Sequence, residues 1–269
     1  MPVLVGTSGW QYRDWRGRFY PPKLPQRLWL EHHAAAFATT EVNNSFYRLP
    51  ARDVFEQWRA RTPADYVVTV KASRFLTHIK RLKDPEEPVA RLMDRVTALG
   101  DRLGAVLLQL PPNLQSDVEA LDRCLACFPA GTRLAVEPRH DSWWNPDLRD
   151  VLTGRRAALV WSDRDSRPIA PLWRTTDWGY LRLHHGGGEA FWPYDEHVLR
   201  AWTARLADTW DDDEDAYVYT NNDPGGAALR DAVTFARLVR EGGRTATRVP
   251  EPASVDGPLY EPKARAASA

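Results

Sequence analysis

A chain of 269 residues can bury one large core, and single α/β barrels reach this size, so length does not demand a second domain. Lysine plus arginine and aspartate plus glutamate each number 36; the resulting zero formal charge excludes an overall pull toward nucleic acid or anionic lipid and leaves only a local basic site for either. No apolar run approaches the ~20 residues of a membrane span, and MPVLVGTSGW lacks the basic region and apolar core of a leader, so the sequence predicts a cytoplasmic protein with no membrane partner and leaves its oligomeric state open.

Short runs rich in Val, Leu and Thr alternate with longer segments of helical period, the pattern of repeated βα units and a parallel sheet. Strands are predicted at 3–9, 39–45, 65–73, 105–111, 133–140, 157–163, 178–185 and 215–222. Helices at 29–37, 54–61, 89–103, 117–128 and 146–153 fall between them, the last opened by Asn145 as cap and Pro146 in the first turn. Two more follow at 194–210 and 227–240, with Leu199, Trp202 and Leu206 on one face of the first. After the sixth strand, RDSRPIAPLWRTTD carries two prolines and no helical period, so a long loop is predicted there. Eight strands suggest a single (β/α)8 TIM barrel over 1–240. Residues 241–269 are rich in Gly, Pro, Ala and Ser and read as a disordered or loosely docked tail. Cys124 and Cys127 form C-x-x-C inside a helical segment, without the strand-to-helix setting of a redox motif or the extra ligands of a metal site, and read as packing residues.

In a barrel, alternate strand residues face the axis or the helices, and the active site lies at the strands' C-terminal ends. One parity is aliphatic: Val42, Val68, Val106, Leu134, Val136, Val160, Leu181, Leu183 and Val218 belong to it. The other carries Thr7, Glu41, Asn43, Thr69, Lys71, Gln109, Glu137, Arg139, Asp163, Arg182, His184, Tyr219 and Asn221, so polar groups from all eight strands should converge above the barrel core. Such balanced charges could simply pair into a buried network, but filling a barrel with apolar side chains is the simpler solution, which favours a functional pocket.

Lys71, Arg139 and Arg182 suit a phosphate or carboxylate, which their donors can clamp. Glu137 or Asp163 is then the candidate general base, with His184 to move protons and Lys71 in the same catalytic group. Asn43, Asn44, Ser45, Gln109, Asn221 and Asn222 are short polar groups fit to orient hydroxyls, and His78 lies in the third βα loop. Trp10 and Tyr12 head a set of rim aromatics, with Trp15, Trp143, Trp144 and Trp192, that could stack on a base or sugar. Glu137, Asp163 and His184 could take a divalent metal, but the flanking cations oppose it, so no cofactor is expected. The favoured reading is an enzyme, a hydrolase, lyase or isomerase acting on a phosphorylated or otherwise anionic, polyhydroxylated substrate, in which Glu137→Gln keeps the fold and loses turnover. The alternative is a nucleic-acid-binding module using the tryptophans and arginines.

The segments GTSGWQYRDWRGRFYP, EVNNSFYRLP, VKASRFLTH, LGAVLLQLPP, AVEPRHDSWW, LRLHHGG and YTNNDPGGAA, in this order, resemble the YecE-like family, domain of unknown function 72. The resemblance runs from the first strand to the last helix and implies a TIM barrel without an established activity. A likeness of that barrel to the endonuclease IV type implies nucleic-acid binding by analogy of fold only. Two departures stand out. Pro138 replaces an aromatic and is expected to bend or end its strand, and HHGGG replaces HG, so that either His184 or His185 could fill the matching position.

Overall fold

The computed structural model describes residues 2–187 and 193–255. Its strands are β1 (Val3–Thr7), β2 (Thr39–Val42), β3 (Val67–Lys71), β4 (Leu103–Gln109), β5 (Leu134–Glu137), β6 (Ala158–Leu159), β7 (Trp161–Arg164), β8 (Arg167–Pro168), β9 (Gly179–Leu183) and β10 (Ala216–Thr220). They form one sheet in the order β6-β5-β4-β3-β2-β1-β10-β9-β7-β8, parallel except for the β7–β8 hairpin. Val160 alone separates β6, which pairs with β5, from β7, which pairs with β9, so one stretch of chain reaches both sides of a curled, TIM-barrel-like sheet.

The helices are α1 (Trp29–Ala36), α2 (Asn44–Tyr47), α3 (Arg52–Arg61), α4 (Glu86–Val96), α5 (Val118–Ala126), α6 (Pro146–Gly154), α7 (Glu196–Thr209) and α8 (Ala227–Glu241). Local chemistry sets their ends. Asn145 accepts from the Leu148 amide at 2.9 Å to start α6, and Asp117 accepts from Ala120 at 2.9 Å to start α5. The helix expected at 89–103 is shorter at its far end, because Gly100 takes a left-handed φ of 59° and turns the chain into an earlier β4. The predicted loop after the sixth strand does lack a helix, its start folded into the β7–β8 hairpin.

Two sets of buried side chains divide the interior. The outer set packs Val5, Val42, Val68, Val106, Val136, Leu181 and Val218 against the helices. The inner set is smaller: Leu4, Ala105, Leu107, Ala135, Ala158, Val160, Trp178, Tyr180, Tyr217 and Tyr219. Each fully buried aliphatic or aromatic side chain contributes ~1.5–3 kcal/mol, so both layers stabilise the barrel. Tyr219 satisfies its hydroxyl inside the barrel with Thr39 Oγ1 (2.8 Å) and Thr69 Oγ1 (2.9 Å).

Two sequence expectations need correction. Thr7 faces the helices, where its hydroxyl meets His33 Nε2 at 2.9 Å, and Ser8 points inward instead. The sixth strand is reversed in parity: Val160 belongs to the inner set, Trp161 to the outer, and Asp163 follows Trp161 outward. There Asp163 accepts from Trp202 Nε1 (2.8 Å) and the Tyr194 hydroxyl (2.9 Å), far from the role expected of it in the barrel mouth. The segment expected to be disordered or loosely docked is bonded to the sheet at its start: Val3 and Thr245 share a backbone bond of 2.7 Å, Thr247 and Val3 another of 2.9 Å, and Arg248 reaches Asp65. Residues 256–269 lie outside the described residues.

Asp231 on α8 extends the Asp163 network, accepting from the Tyr194 amide at 3.1 Å and from Asn222 Nδ2 at 2.7 Å. Burial pushes its carboxyl up to about 7. The folded protein therefore holds a proton that an unfolded aspartate, with a pKa of about 3.9, releases. The stability from that proton is complete below the unfolded value and is lost as pH rises through 7. Asp231→Asn should flatten the decline of the urea midpoint between those limits; a decline of unchanged slope contradicts the assignment.

Candidate active site

The strands' C-terminal ends surround a pocket of about 730 Å³ lined by Tyr12, Asn43, Phe46, Tyr47, Lys71, Arg74, His78, Gln109, Arg139, Arg164, Arg182, His184, His185 and Asn221. Its floor is built from three strands. Arg182 of β9, 1 % exposed, places one guanidinium nitrogen 2.8 Å from Glu41 Oε1 of β2 and another 2.6 Å from Glu137 Oε2 of β5. Glu41 also accepts from the Tyr180 hydroxyl at 2.6 Å and from Ser8.

Glu137 is saturated. Besides Arg182, its carboxylate accepts from Arg139 (3.1 Å), His184 Nε2 (3.1 Å) and Ser162 (3.2 Å). Burial alone would raise its pKa, but Arg182 and then Arg139 hold it well below the usual carboxylate range. A carboxylate so engaged is a poor proton acceptor, and Glu137 does not line the pocket. Its geometry is that of a group that positions Arg182, Arg139 and His184, in place of the general base the strand pattern suggested. Pro138 explains how Arg139 gets there: β5 ends at Glu137, and beyond the proline the Arg139 side chain folds back on the carboxylate.

His184 rather than His185 turns inward. Asn221 Nδ2 meets its Nδ1 at 2.9 Å, which puts the ring proton on Nε2, toward Glu137. Burial pulls this imidazole down to about 4 despite the adjacent carboxylate, so it is neutral at physiological pH. His185 also borders the pocket, with Nδ1 held by Asp165 at 3.1 Å. Lys71 donates to Gln109 Oε1 at 2.8 Å and sits 4.3 Å over the Phe46 ring. Burial, and then the Arg182 guanidinium, bring its amine down to about 8, against the opposing pull of Glu41 and Glu137. His78, in a π-helical turn at Phe75–Ile79, packs edge-on to the same Phe46 ring and is pushed down to about 4 by burial and then by Lys71.

Asn43 bonds Ser8 Oγ through Nδ2 at 2.7 Å, and its Oδ1 is buried without a hydrogen-bond partner. Other predicted contacts go elsewhere. Ser45 is buried and donates to the Lys71 carbonyl at 2.7 Å, which ties α2 to β3. Asn222 turns to Asp231, and Asn44 is exposed beside a separate, smaller pocket. Trp10 is 4 % exposed and packs edge-on against Trp58 with centroids 5.2 Å apart, a core residue rather than a stacking platform. Trp15 and Trp143 are also fully buried, and Trp192 lies outside the described residues. Tyr12 does line the pocket, its hydroxyl anchored on the Ser8 carbonyl at 2.6 Å.

Strand parity missed Ser8 and Ser162, which occupy the inward slots assigned to Thr7 and Asp163. It had no signal for Arg74 and Arg164, which reach the pocket from loop and hairpin. With Asp163 on the far side of its strand, the trio Glu137, Asp163 and His184 is not assembled, and among the described residues no group of three or more His, Cys, Asp or Glu is placed to hold a metal ion.

Glu137→Gln should destabilise the fold by ~3 kcal/mol, because it leaves Arg182 and Arg139 short of a buried counter-charge. The urea midpoint measures this; a variant as stable as the wild type would return Glu137 to the list of working groups.

The sequence model of the family described as "Protein of unknown function DUF72" matches residues 4–254. Curated relatives include UPF0759 protein YunF of Bacillus subtilis (strain 168), 24% identical over 88% of this chain and 94% of its own length. UPF0759 protein YecE of Escherichia coli (strain K12) is 29% identical over 62% of this chain and 60% of its own. Among solved structures, a DUF72 family protein from Thermotoga maritima MSB8 is similar with a TM-score of 0.76 at 28% identity, covering 89% of this chain and 100% of that one. Another from Enterococcus faecalis V583 is similar in fold, with a TM-score of 0.73 at 15% identity over 88% of this chain and 95% of its own.

Proposed function

Because the chain belongs to the DUF72 family, described as proteins of unknown function, we propose its function from the pocket itself: it is an enzyme that binds a phosphorylated or otherwise anionic, polyhydroxylated substrate and acts on it as a hydrolase, lyase or isomerase. In this reading β6 and β7 count as one strand interrupted at Val160, the sixth of a (β/α)8 barrel whose mouth is the active site. The sign of charge around the pocket carries the proposal. Lys71, Arg74, Arg139, Arg164 and Arg182 line it, and among the described residues no aspartate or glutamate does. Of the carboxylates beneath it, Glu41 pairs with Arg182 and Glu137 with Arg182 and Arg139.

An anion entering here meets guanidinium donors that need no reorganisation. Arg139 is best placed, since its side chain is 22% exposed and its bond to Glu137 is long at 3.1 Å. Asn43 borders the same pocket, its side chain held by Ser8. His78 is a neutral imidazole able to accept or pass a proton, while Glu137 positions His184 and Arg139. Among the described residues no helix is long and apolar enough to cross a membrane, and the two free cysteines, Cys124 and Cys127, suit the reducing cytoplasm.

Thermal shift with inorganic phosphate, pyrophosphate and ribose 5-phosphate, against ribose and chloride at matched ionic strength, tests the proposal. The phosphates should raise Tm where ribose and chloride do not, and Arg139→Ala should weaken that response on the order of tenfold. Equal shifts with chloride at the same ionic strength would remove the anion site.

A further inference from the structure

We infer that Lys71 is a nucleophile that forms an imine with a carbonyl group of the substrate, which narrows the substrate class to aldehydes and ketones carrying a phosphate or carboxylate. The inference rests on the anion-binding reading of the same pocket and gives it a chemistry. Lys71 is the last residue of β3, largely buried yet lining the pocket. Its Nζ meets neutral groups: the Gln109 carbonyl oxygen at 2.8 Å and the Phe46 face at 4.3 Å. Among the described residues no carboxylate forms an ion pair with it, while Arg182 and Arg139 stand close enough to disfavour its ammonium form.

The choice of residue is informative in this chain. Of the 36 lysines and arginines only Lys23, Lys71, Lys80, Lys83 and Lys263 are lysine. For holding an anion, arginine is the better donor, and the chain uses it at four other positions around the pocket. Lysine differs in one respect that matters here: it can shed a proton and offer a lone pair. With its amine at about 8, roughly a tenth is neutral at pH 7. The Phe46 face and the Glu41 and Glu137 carboxylates favour the ammonium form and limit that fraction, while burial, Arg182 and Arg139 act the other way.

The neutral amine adds to the carbonyl carbon, forming the C–N bond as the C=O π pair moves to oxygen. The two nitrogen protons leave with that oxygen as water, and a C=N bond remains. Once protonated, this imine draws electrons from an adjacent C–H or C–C bond, which selects lyase or isomerase chemistry over hydrolysis. His78 shares the Phe46 ring with Lys71, is neutral, and has Nδ1 occupied by Thr77 Oγ1 at 2.9 Å, so Nε2 is the nitrogen available to carry protons between amine and oxygen.

Pyridoxal 5′-phosphate, an aldehyde bearing a phosphate, is the probe, with pyridoxal as its unphosphorylated control. Borohydride reduction followed by peptide mass mapping should place the adduct on Lys71 at least tenfold above Lys23, Lys80, Lys83 and Lys263, with much less label from pyridoxal. Lys71→Arg should lose the adduct while phosphate still raises its Tm. If phosphate stabilises the wild type but label spreads over the other four lysines and spares Lys71, the imine is overturned and the anion site stands. If phosphate does not stabilise the wild type, the anion site fails, and the imine with it.

Discussion

Arg182 carries a guanidinium out of water to the top of the barrel core, and it can do so because Glu41 and Glu137 meet it from two other strands. Burying a lone charge costs several kcal/mol, so each of the three groups depends on the other two. The arrangement braces β9 against β2 and β5 across the barrel axis. It also decides which charges remain for a ligand. Both floor carboxylates are turned toward Arg182, so the surface above them is left to Lys71, Arg74, Arg139 and Arg164.

The layers beneath follow the same logic. At the lower end of the barrel, Arg133 pairs with Asp215 at 2.6 Å and donates to the Tyr217 hydroxyl at 2.9 Å. Tyr219 closes its hydroxyl between two threonines, and Tyr180 lends its own to Glu41. The aromatic rings fill volume while their hydroxyls satisfy polar atoms, which helps a narrow barrel pass from apolar core to charged floor; Arg182 Nε is the buried floor donor left without a partner. Arg139 and His184 are both tied to this floor through Glu137, which on the proposed reading orients them toward an anion.

Much of this was legible in the strands. Alternation alone placed Glu41, Lys71, Gln109, Glu137, Arg182, His184 and Asn221 on the inner face, because neighbouring Val and Leu residues mark the helix-facing side without ambiguity. The pattern failed at Thr7 and Asp163, whose partners are His33 on α1 and Trp202 on α7 with Tyr194 just before it. A polar residue can face the helices when a helix supplies its hydrogen bond, and a strand pattern carries no trace of that partner. Asn222 was misplaced for the same reason, Ser45 because its hydroxyl is taken by strand carbonyls of Val42 and Lys71, and Trp10 because an aromatic near a pocket looks the same in sequence whether it is a rim or a plug. The role of Glu137 was the subtlest point: its position was readable, but the number of donors around it, and so its loss of basicity, exists only in three dimensions.

A cationic pocket standing over a charge-satisfied floor is the central claim, and tungstate, a phosphate-shaped anion of high scattering power, reports on it directly. Crystals soaked in tungstate should show an anomalous peak in the strand-end pocket within hydrogen-bonding reach of Arg139 and Lys71, and Arg139→Ala crystals should lose it. Peaks confined to surface arginines, with the pocket empty at the same concentration, would contradict the account.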